Sequence, residues 1–324
     1  MSEDARWLAA AAALAARARP LSRPNPGVGA IVVKRGRVIA RGWTQSGGRP
    51  HAEAVALAMA GEAAQGATLY VTLEPCAHKS ERGPACADLA SVSGLERVVV
   101  GCMDPDPRTS GAGIARVREA GIAAEFLPSA ACARSLSGYL TSKRLGRPEV
   151  TLKLALSLDG CIALASGESQ WITGADARAH THAMRARADA ILVGGGTLRA
   201  DAPRLDVRLP GLEDRSPERW VLTRGPVPEG WHALPSPEAI TEMHGVMHLF
   251  VEGGAGAATA FLAAGLVDRL LIYRAPILVG GRPALCDFGL SGLAQAHGRW
   301  RMTERRQLGS DTLEVYDARD PTES

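Results

Sequence analysis

Apolar positions recur at helical spacing at the start of the chain. One set of side chains falls on a single helix face: Trp7, Leu8, Ala11, Leu14 and Ala15. Glu3 and Asp4 precede this face and Arg17 and Arg19 close it, whereas a signal peptide carries its positive charges first. We therefore predict an amphipathic first helix and not a signal peptide.

Short runs rich in β-branched residues then alternate with segments of helical period. The hairpin GVGAIVVKRGRVIARG comes first, and the later strands are ATLYVTL and RVVVGCM. The helical segments are PHAEAVALAMAGEAA, ACADLASVSG and GIARVREAG. Strands that alternate with helices in this way predict an α/β layered domain.

The segment SKRLGRPEV, residues 142–150, is basic, contains Gly and Pro, and lacks an apolar period. We place a domain boundary there and divide the chain into residues 1–146 and 147–324. The second half begins again with a strand, VTLKLAL, and a helix, ADARAHTHAMRARA. The segment DAILVGGGTLRADAP then predicts a strand, a glycine loop and a turn, and RWVLTR, HLFVEGG and RLLIYRAP predict further strands. A second α/β domain is expected.

Composition and charge narrow the function classes. The chain has 324 residues, 46% of them apolar, and a formal net charge of +3, which fits a globular protein with two domains. Its 37 basic residues are scattered. A nucleic-acid surface shows a basic stripe, so we expect small-molecule substrates and no nucleic acid. Apolar helices rich in Ala, Leu and Val lead us to expect a homo-oligomer, a dimer or a tetramer.

Six cysteines in a chain of this length do not form a disulfide framework. Cys102, Cys132, Cys161 and Cys286 stand alone, which is typical of reduced thiols. No stretch approaches the ~20 apolar residues that a membrane span needs. We therefore expect a cytoplasmic protein that does not bind membranes.

The two remaining cysteines belong to a candidate metal site. His51 and Glu53 lie at the start of a predicted helix, Cys76 follows a strand and Pro75, and Cys86 lies at the next helix. One imidazole and two thiolates suit zinc and leave its fourth tetrahedral position for water. A carboxylate beside that water can carry its proton, so Glu53 is the catalytic candidate. The alternative is a closed zinc site that staples a loop, with His78 as fourth ligand.

The order His-x-Glu, strand, Pro-Cys and a later Cys is the signature of zinc nucleobase and nucleotide deaminases. Here nine residues separate the two cysteines. The segments PNPGVGAIVV, HAEAVAL, VTLEPCAHKSERGPACADL and DPDPRTSGAGI closely resemble the deaminase domain of the bifunctional riboflavin-biosynthesis deaminase/reductase family over residues 5–145. This resemblance implies a cytidine-deaminase-like αβα fold and a ribosylaminopyrimidine 5'-phosphate substrate. It also implies that Asn25 holds the pyrimidine edge and that His78 and Lys79 lie near the substrate.

Two glycine-rich segments of the second half, ILVGGGTL and LFVEGGAGAATAFL, each follow a predicted strand. Backbone N–H groups ahead of a helix suit a phosphate, although simple tight turns are the alternative. Neither segment is a Gly-x-Gly-x-x-Gly fingerprint that opens a βαβ unit, so a Rossmann domain is not expected.

These segments, with LKLALSLDGCIALASGESQWITG, resemble the reductase domain of the same family over residues 150–290. The resemblance implies a dihydrofolate-reductase-like α/β fold and the cofactor NADPH. The residues implied to contact NADPH are Ala155, Trp171, Thr197, Asp201 and the loop Gly254, Ala255, Gly256, Ala257, Ala258, Thr259 and Ala260. Those implied to contact the substrate are Ser169, Arg185, Leu205, Arg208 and Glu252.

Chemistry adds roles to some of these residues. The guanidinium groups of Arg185 and Arg208 suit a 5'-phosphate. Lys153 and Asp201 are candidates for proton handling at the sugar carbon that is reduced. The segment 225–248 is rich in Pro and Gly and looks too short for the strand and helix that the family places there, so the resemblance supports reduction and the NADPH preference less firmly than it supports deamination.

The resulting hypothesis is an enzyme of riboflavin synthesis that deaminates a phosphoribosylaminopyrimidine and then reduces its ribosyl to a ribityl side chain. One alternative is a deaminase of another nucleobase or nucleotide with a degenerate second half. The other is a binding module that is stapled by zinc and has no turnover.

Overall fold

The computed structural model describes residues 2–78 and 80–319, and the chain divides after Gly146 into two compact units. The first unit contains a sheet with the strand order β2-β1-β3-β4-β5. Its strands are β1 Gly29–Lys34, β2 Arg37–Trp43, β3 Thr68–Val71, β4 Arg97–Val100 and β5 Ala123–Phe126. Its helices are α1 Glu3–Ala15, α2 Ala52–Ala60, α3 Cys86–Ser91, α4 Ala112–Glu119, α5 Ala130–Ser135 and α6 Ser137–Leu145.

The opening helix and the hairpin form as predicted. Ser2 caps α1 by accepting the N–H of Ala5 at 3.3 Å, and Leu8 and Ala11 are fully buried on its apolar face. Strand β1 pairs antiparallel with β2 and with β3, while β3, β4 and β5 run parallel. The first half therefore has the α/β architecture that its alternating pattern predicts.

Two glycines bring helices close to the sheet. A Cβ at Gly29 would lie 2.0 Å from the carbonyl oxygen of Ala11 in α1, and a Cβ at Gly42 would lie 2.2 Å from that of Ala52 in α2. Ala30, the neighbour of Gly29, pairs with Gly42, so the two glycines face opposite sides of the sheet. Helices α1 and α2 consequently cover opposite faces, which gives an αβα layering.

The second unit is built around a sheet with the strand order β10-β9-β8-β11-β6-β12-β15-β14. The strands of the whole second unit are β6 Glu149–Leu156, β7 Cys161–Ala163, β8 Ala190–Gly194, β9 Glu218–Leu222, β10 Trp231–Leu234, β11 His248–Val251, β12 Arg269–Arg274, β13 Arg282–Pro283, β14 Trp300–Leu308 and β15 Asp311–Ala318. Its helices are α7 Ala175–Arg185, α8 Gly195–Asp201 and α9 Ala255–Ala263. The first six strands in this order, from β10 through β12, run parallel to one another. Strands β15 and β14 complete the sheet as an antiparallel hairpin.

The central strands of this sheet are buried on both faces. Leu192 on β8 packs in a cluster with Val251 and Phe261, whereas its neighbour Ile191 packs on the other side with Tyr273 and other side chains. Continuous apolar runs such as AILV in β8 are typical of parallel strands that are covered on both sides. The second half is therefore also an α/β domain.

Residues 225–248 are long enough for an additional strand and a short helix, contrary to expectation. This segment forms strand β10, which pairs parallel with β9, and a 3₁₀ helix, Pro237–Glu242. Ile240 of that helix is fully buried, and His232 stacks on Trp220 of β9 with ring centroids 4.7 Å apart. A short strand and a 3₁₀ helix need fewer residues than a full strand and α-helix, so the sheet extension fits in the shorter segment.

The two glycine-rich segments, which were predicted as loops, form the starts of helices. Gly195 and Gly196 begin helix α8 directly, and residues 255–260 form the first turns of α9 with Gly254 as N-cap. Among residues 2–78 and 80–319, the helices are all too short or too polar to cross a membrane.

Candidate functional site

The first unit brings His51, Cys76 and Cys86 together from three separate segments. His51 is the N-cap of α2, Cys76 follows β3, and Cys86 is the first residue of α3. The Nδ1 atom of His51 lies 3.6 Å from Sγ of Cys76 and 3.3 Å from Sγ of Cys86. Zinc–nitrogen and zinc–sulfur bonds in a tetrahedral site imply a separation of about 3.5 Å between such atoms, so the three side chains fit one zinc ion.

The surroundings of Cys76 favour its thiolate form. The N–H of Cys86, at the start of α3, donates to Sγ of Cys76 at 3.3 Å. The Cys86 thiol, His51 and this N–H lower the pKa of Cys76. Since the thiolate is the form that binds metal, the start of α3 favours the ligand state of Cys76.

Glu53 lies on the first turn of α2, beside this site, and is 3% exposed. Burial raises the pKa of Glu53 to about 7, an effect that His51 opposes. A carboxyl group that titrates near neutrality can accept a proton at one stage of a reaction and return it at another. The geometry therefore places an acid–base group next to the candidate zinc site.

Two of the zinc ligands, His51 and Cys76, line a cavity of about 260 Å³ together with Glu53. Asn25 and His78 line it as well, as the resemblance implies. The Nδ2 atom of Asn25 donates to the carbonyl oxygen of Gly48 at 2.8 Å and lies 3.0 Å from Nε2 of His51. The amide of Asn25 therefore lies beside the ring nitrogen of His51 that faces away from the thiols.

His78 is not part of the metal cluster among the residues that the structure describes; its Nδ1 atom lies 3.5 Å from Oγ1 of Thr109. The cluster consequently has three protein ligands within the described chain, which favours an open site over a closed one. Lys79, which the resemblance also implies, lies outside the described residues.

Sequence reasoning missed a polar wall on the same cavity, which consists of the segment Asp104–Arg108 and its partners Tyr139 and Lys143. Tyr139 donates to Asp104 at 2.7 Å, and Asp106 accepts from Arg108 at 2.7 Å and from Lys143 at 3.1 Å. These cations hold the pKa of Asp106 well below its usual value, with Arg108 as the larger influence. The carboxylate neutralises charge on Arg108 and Lys143.

Two further arginines line the cavity and were also not predicted as site residues. Each of them donates to a backbone carbonyl group in the loop that carries the other. Arg49 donates to the carbonyl oxygen of Pro84 at 3.3 Å, and Arg82 donates to that of Gly47 at 2.6 Å. Each guanidinium has five N–H donors. Both groups therefore retain donors for an anion while their loops fix their positions.

In the second unit, Glu252 gathers two of the predicted substrate residues. It accepts two hydrogen bonds from Arg185, at 2.6 and 3.0 Å, and lies 3.7 Å from Nζ of Lys153. Burial alone would raise the pKa of Glu252, but Lys153 and Arg185 hold it below its usual value. The cluster lies where β6 and β11 are adjacent, beside the last turn of α7.

Two residues that were not predicted from the sequence, Asp206 and His182, connect Arg208 to this cluster. Asp206 accepts from Arg185 through its carbonyl oxygen at 3.0 Å, and its carboxylate lies 3.5 Å from Nε of Arg208. The N–H of Arg208 donates to Nδ1 of His182 at 3.3 Å. Leu205 precedes this segment, and its side chain is buried in the core.

The predicted cofactor residues have mixed positions. The N–H of Gly254 donates to Thr197 at 3.2 Å, which joins the starts of α8 and α9. Ala257 and Ala258 are buried in α9, so the expected loop is a helix whose side chains at these two positions face the interior. Trp171 is exposed, with Arg178 4.8 Å from its ring centroid. The predicted substrate residue Ser169 is partly buried, and the remaining predicted cofactor residues are partly buried or exposed: Ala155, Asp201, Ala255, Gly256, Thr259 and Ala260.

Comparisons with known proteins match both units. The family model of the cytidine and deoxycytidylate deaminase zinc-binding region matches residues 1–102. The model of the RibD C-terminal domain matches residues 148–230 and 237–313. Together these models cover most of the chain and support the cytidine-deaminase-like first domain and the dihydrofolate-reductase-like second domain.

Full-length relatives have the same organisation. The riboflavin biosynthesis protein RibD of Escherichia coli is 38% identical, with 95% of this chain and 98% of that protein covered. RibD of Aquifex aeolicus is 36% identical, with coverages of 96% and 97%. The structure of Acinetobacter baumannii RibD matches with a TM-score of 0.86 and 34% identity, over 98% of this chain and 99% of that one. A deaminase/reductase structure from Thermotoga maritima gives a TM-score of 0.86 and 31% identity over the same shares.

Proposed function

The chain belongs to the family of the riboflavin biosynthesis protein RibD, and from this premise we propose that its two units catalyse consecutive reactions. The Thermotoga maritima relative is a diaminohydroxyphosphoribosylaminopyrimidine deaminase and 5-amino-6-(5-phosphoribosylamino)uracil reductase. We assign the same substrates to this chain, with deamination in residues 1–146 and reduction in residues 147–324. The observation that carries the proposal is the cluster of His51, Cys76 and Cys86 beside the buried Glu53.

His51, Cys76 and Cys86 would hold the zinc ion, which supplies a water whose pKa is lowered towards ~7. Glu53 takes the proton of the attacking water and returns it to the departing ammonia. Asn25 and His78 line the same cavity and orient the pyrimidine ring. The buried position of Glu53 limits proton exchange with bulk solvent, which suits a group that transfers the same proton twice.

The 5'-phosphate of the substrate would meet Arg49 and Arg82. Arg108 and Lys143 are already paired with Asp106, whereas Arg49 and Arg82 contact only backbone carbonyl groups in their described hydrogen bonds. A guanidinium group suits a phosphate because it offers several donors in one plane. The two arginines would therefore distinguish a ribotide from a riboside.

In the second unit, NADPH supplies the hydride that converts the ribosyl into a ribityl side chain. The starts of α8 and α9, joined by Thr197 and Gly254, present backbone N–H groups suited to its phosphates. Lys153 lies within the Glu252 cluster and would donate a proton to the sugar oxygen. Arg185 and Arg208 would bind the substrate phosphate.

Ammonia release from the diaminopyrimidine ribotide tests the first activity. Wild-type protein should release one ammonia per substrate, Glu53→Gln should lose at least about a hundredfold in kcat, and the exposed control Glu62→Gln should keep it. NADPH oxidation with the deaminated intermediate tests the second activity, and Glu53→Gln should retain it. Loss of both activities in Glu53→Gln would contradict the separation of the two sites.

We also place the protein in the cytoplasm and expect it to be a homo-oligomer. The six cysteines are free thiols in the described chain, which supports a reducing compartment. Sedimentation at micromolar concentration would give the oligomeric state, and a monomer would contradict this part of the proposal.

A further inference from the structure

One buried carboxylate of the first unit accepts hydrogen bonds from four backbone N–H groups. Glu74 is 2% exposed and lies between β3 and the zinc ligand Cys76. Its Oε2 atom accepts from Asp104 at 3.4 Å and from Gly111 at 3.0 Å. Its Oε1 atom accepts from Gly113 at 3.0 Å and from Ile114 at 3.2 Å. All four donors lie between β4 and the first turn of α4.

These contacts fasten both ends of one segment to one side chain. The segment Asp104–Gly111 carries Asp104, Asp106 and Arg108, which form the polar wall of the cavity. Glu74 holds its beginning through Asp104 and its end through Gly111. The N–H of Glu74 also donates to the carbonyl oxygen of Cys102 at 2.9 Å, just before the segment.

The same region approaches the zinc-ligand loop without space for a side chain. A Cβ at Gly113 would lie 2.0 Å from the carbonyl oxygen of Pro75 and 3.1 Å from Cγ of Glu74. Gly113 is buried at the start of α4. The start of α4 is therefore held directly against the residues that precede Cys76.

We propose that Glu74 is a positioning residue for substrate recognition in the deaminase unit, because it sets the distance between the zinc ligand Cys76 and the polar wall Asp104–Arg108. This inference rests on the proposed function of that unit. Glu74 itself lines the cavity, but both of its carboxylate oxygens accept from backbone N–H groups, so it acts through the backbone of the wall. Its removal should therefore weaken substrate binding more than the chemical step.

The variant Glu74→Gln keeps the shape of the side chain but replaces one acceptor oxygen with an NH₂ group that faces two N–H donors. Leaving such buried donors unsatisfied is costly, so we expect KM for deamination to rise about tenfold, with a smaller change in kcat. Gly113→Ala should raise KM in the same direction, because its methyl group pushes α4 away from Pro75. This second variant decides the question if Glu74→Gln does not fold.

The control is Asp4→Asn, which removes another carboxylate of the same unit. Asp4 binds Arg97 and Tyr70 and does not line the cavity. The assay is ammonia release from the ribotide by full-length, zinc-loaded protein, with KM and kcat determined separately. Raised KM in Glu74→Gln or Gly113→Ala, with wild-type KM in Asp4→Asn, supports the inference.

Wild-type KM in the folded Glu74 and Gly113 variants, with only a smaller active fraction, would overturn it, since that is what a purely structural role produces. A wild-type protein that releases no ammonia would contradict the proposed function instead, so the two failures are distinguishable.

Discussion

Asn25 Nδ2 lies 3.0 Å from His51 Nε2, while Nδ1 of the same ring faces the thiols of Cys76 and Cys86. The histidine is thus fixed from both sides, by an amide at one nitrogen and by the candidate metal at the other. With zinc on Nδ1, Nε2 carries the ring proton and donates it, so Asn25 orients the metal-bound ring by presenting its Oδ1 to that N–H, and a partner of this kind tunes the affinity of the ligand for the metal. Asn25 therefore has a second task beside the pyrimidine contact that the family resemblance implies.

Asn25→Ala should reduce zinc affinity about 10- to 100-fold, since the ring of His51 loses its orienting partner. Competition with a chromogenic chelator measures this directly. Gln45→Ala is the matched control, because the Gln45 amide binds the carbonyl oxygen of Trp43 and is not in contact with the zinc ligands. Equal zinc affinity in Asn25→Ala and wild type would refute the orienting role.

Arg82→Gln should raise KM for the ribotide about 10- to 100-fold, because a charge-assisted contact to the phosphate is lost. The effect on the corresponding riboside should be small, since it has no phosphate. Arg35→Gln, at the exposed turn between β1 and β2, controls for the loss of one positive charge. If ribotide and riboside suffer equally in Arg82→Gln, the arginine does not bind the phosphate.

Glu252→Gln should abolish NADPH oxidation and leave ammonia release intact. Removing one partner of a buried ion pair leaves Arg185 and Lys153 uncompensated, which costs about 3–5 kcal/mol. The unfolding transition of the second unit should shift accordingly in urea. Asp317→Asn breaks the more exposed pair with Arg269 and should shift it less. Retained reduction in Glu252→Gln would contradict the assigned site.

The pH dependence of stability should reveal the Asp4 contacts. Arg97 lowers the pKa of Asp4, against the opposing effect of burial. A lowered pKa in the folded state means that the stabilisation is present above the unfolded pKa of about 3.9 and is lost as the pH falls through the folded value. Asp4→Asn should therefore be less stable than wild type at pH 7 and should approach it at pH 2 to 3.

Unfolding of the two proteins in urea at several pH values checks this expectation. A difference that stays constant between pH 7 and pH 2 would show that Asp4 does not contribute through its charge.

The sequence predicted the zinc cluster well because the chemical types and their order are local signals. His51, Cys76 and Cys86 each stand at an element boundary that apolar periodicity marks. The polar wall escaped prediction because Asp104 and Asp106 reach the cavity only when β4 pairs beside β3. The local pattern of apolar and polar residues does not show which distant strands pair in parallel.

Other parts failed for different physical reasons. Strand β14 is almost entirely exposed and rich in charged residues, so it lacks the apolar alternation from which a strand is predicted. The extension at β10 was underestimated because a 3₁₀ helix needs fewer residues than an α-helix. The side chains of Leu205 and Ala258 are buried, a property that the motif match alone did not indicate.

The most direct test of the central claim is ammonia release as zinc is removed and restored. We predict one zinc per chain, loss of ammonia release on chelation, recovery on addition of zinc, and no effect on NADPH oxidation with the deaminated intermediate. Cys76→Ser and Cys86→Ser should lose both zinc and ammonia release. Protein that deaminates the ribotide equally well without zinc, or that carries one zinc and releases no ammonia, would contradict the account.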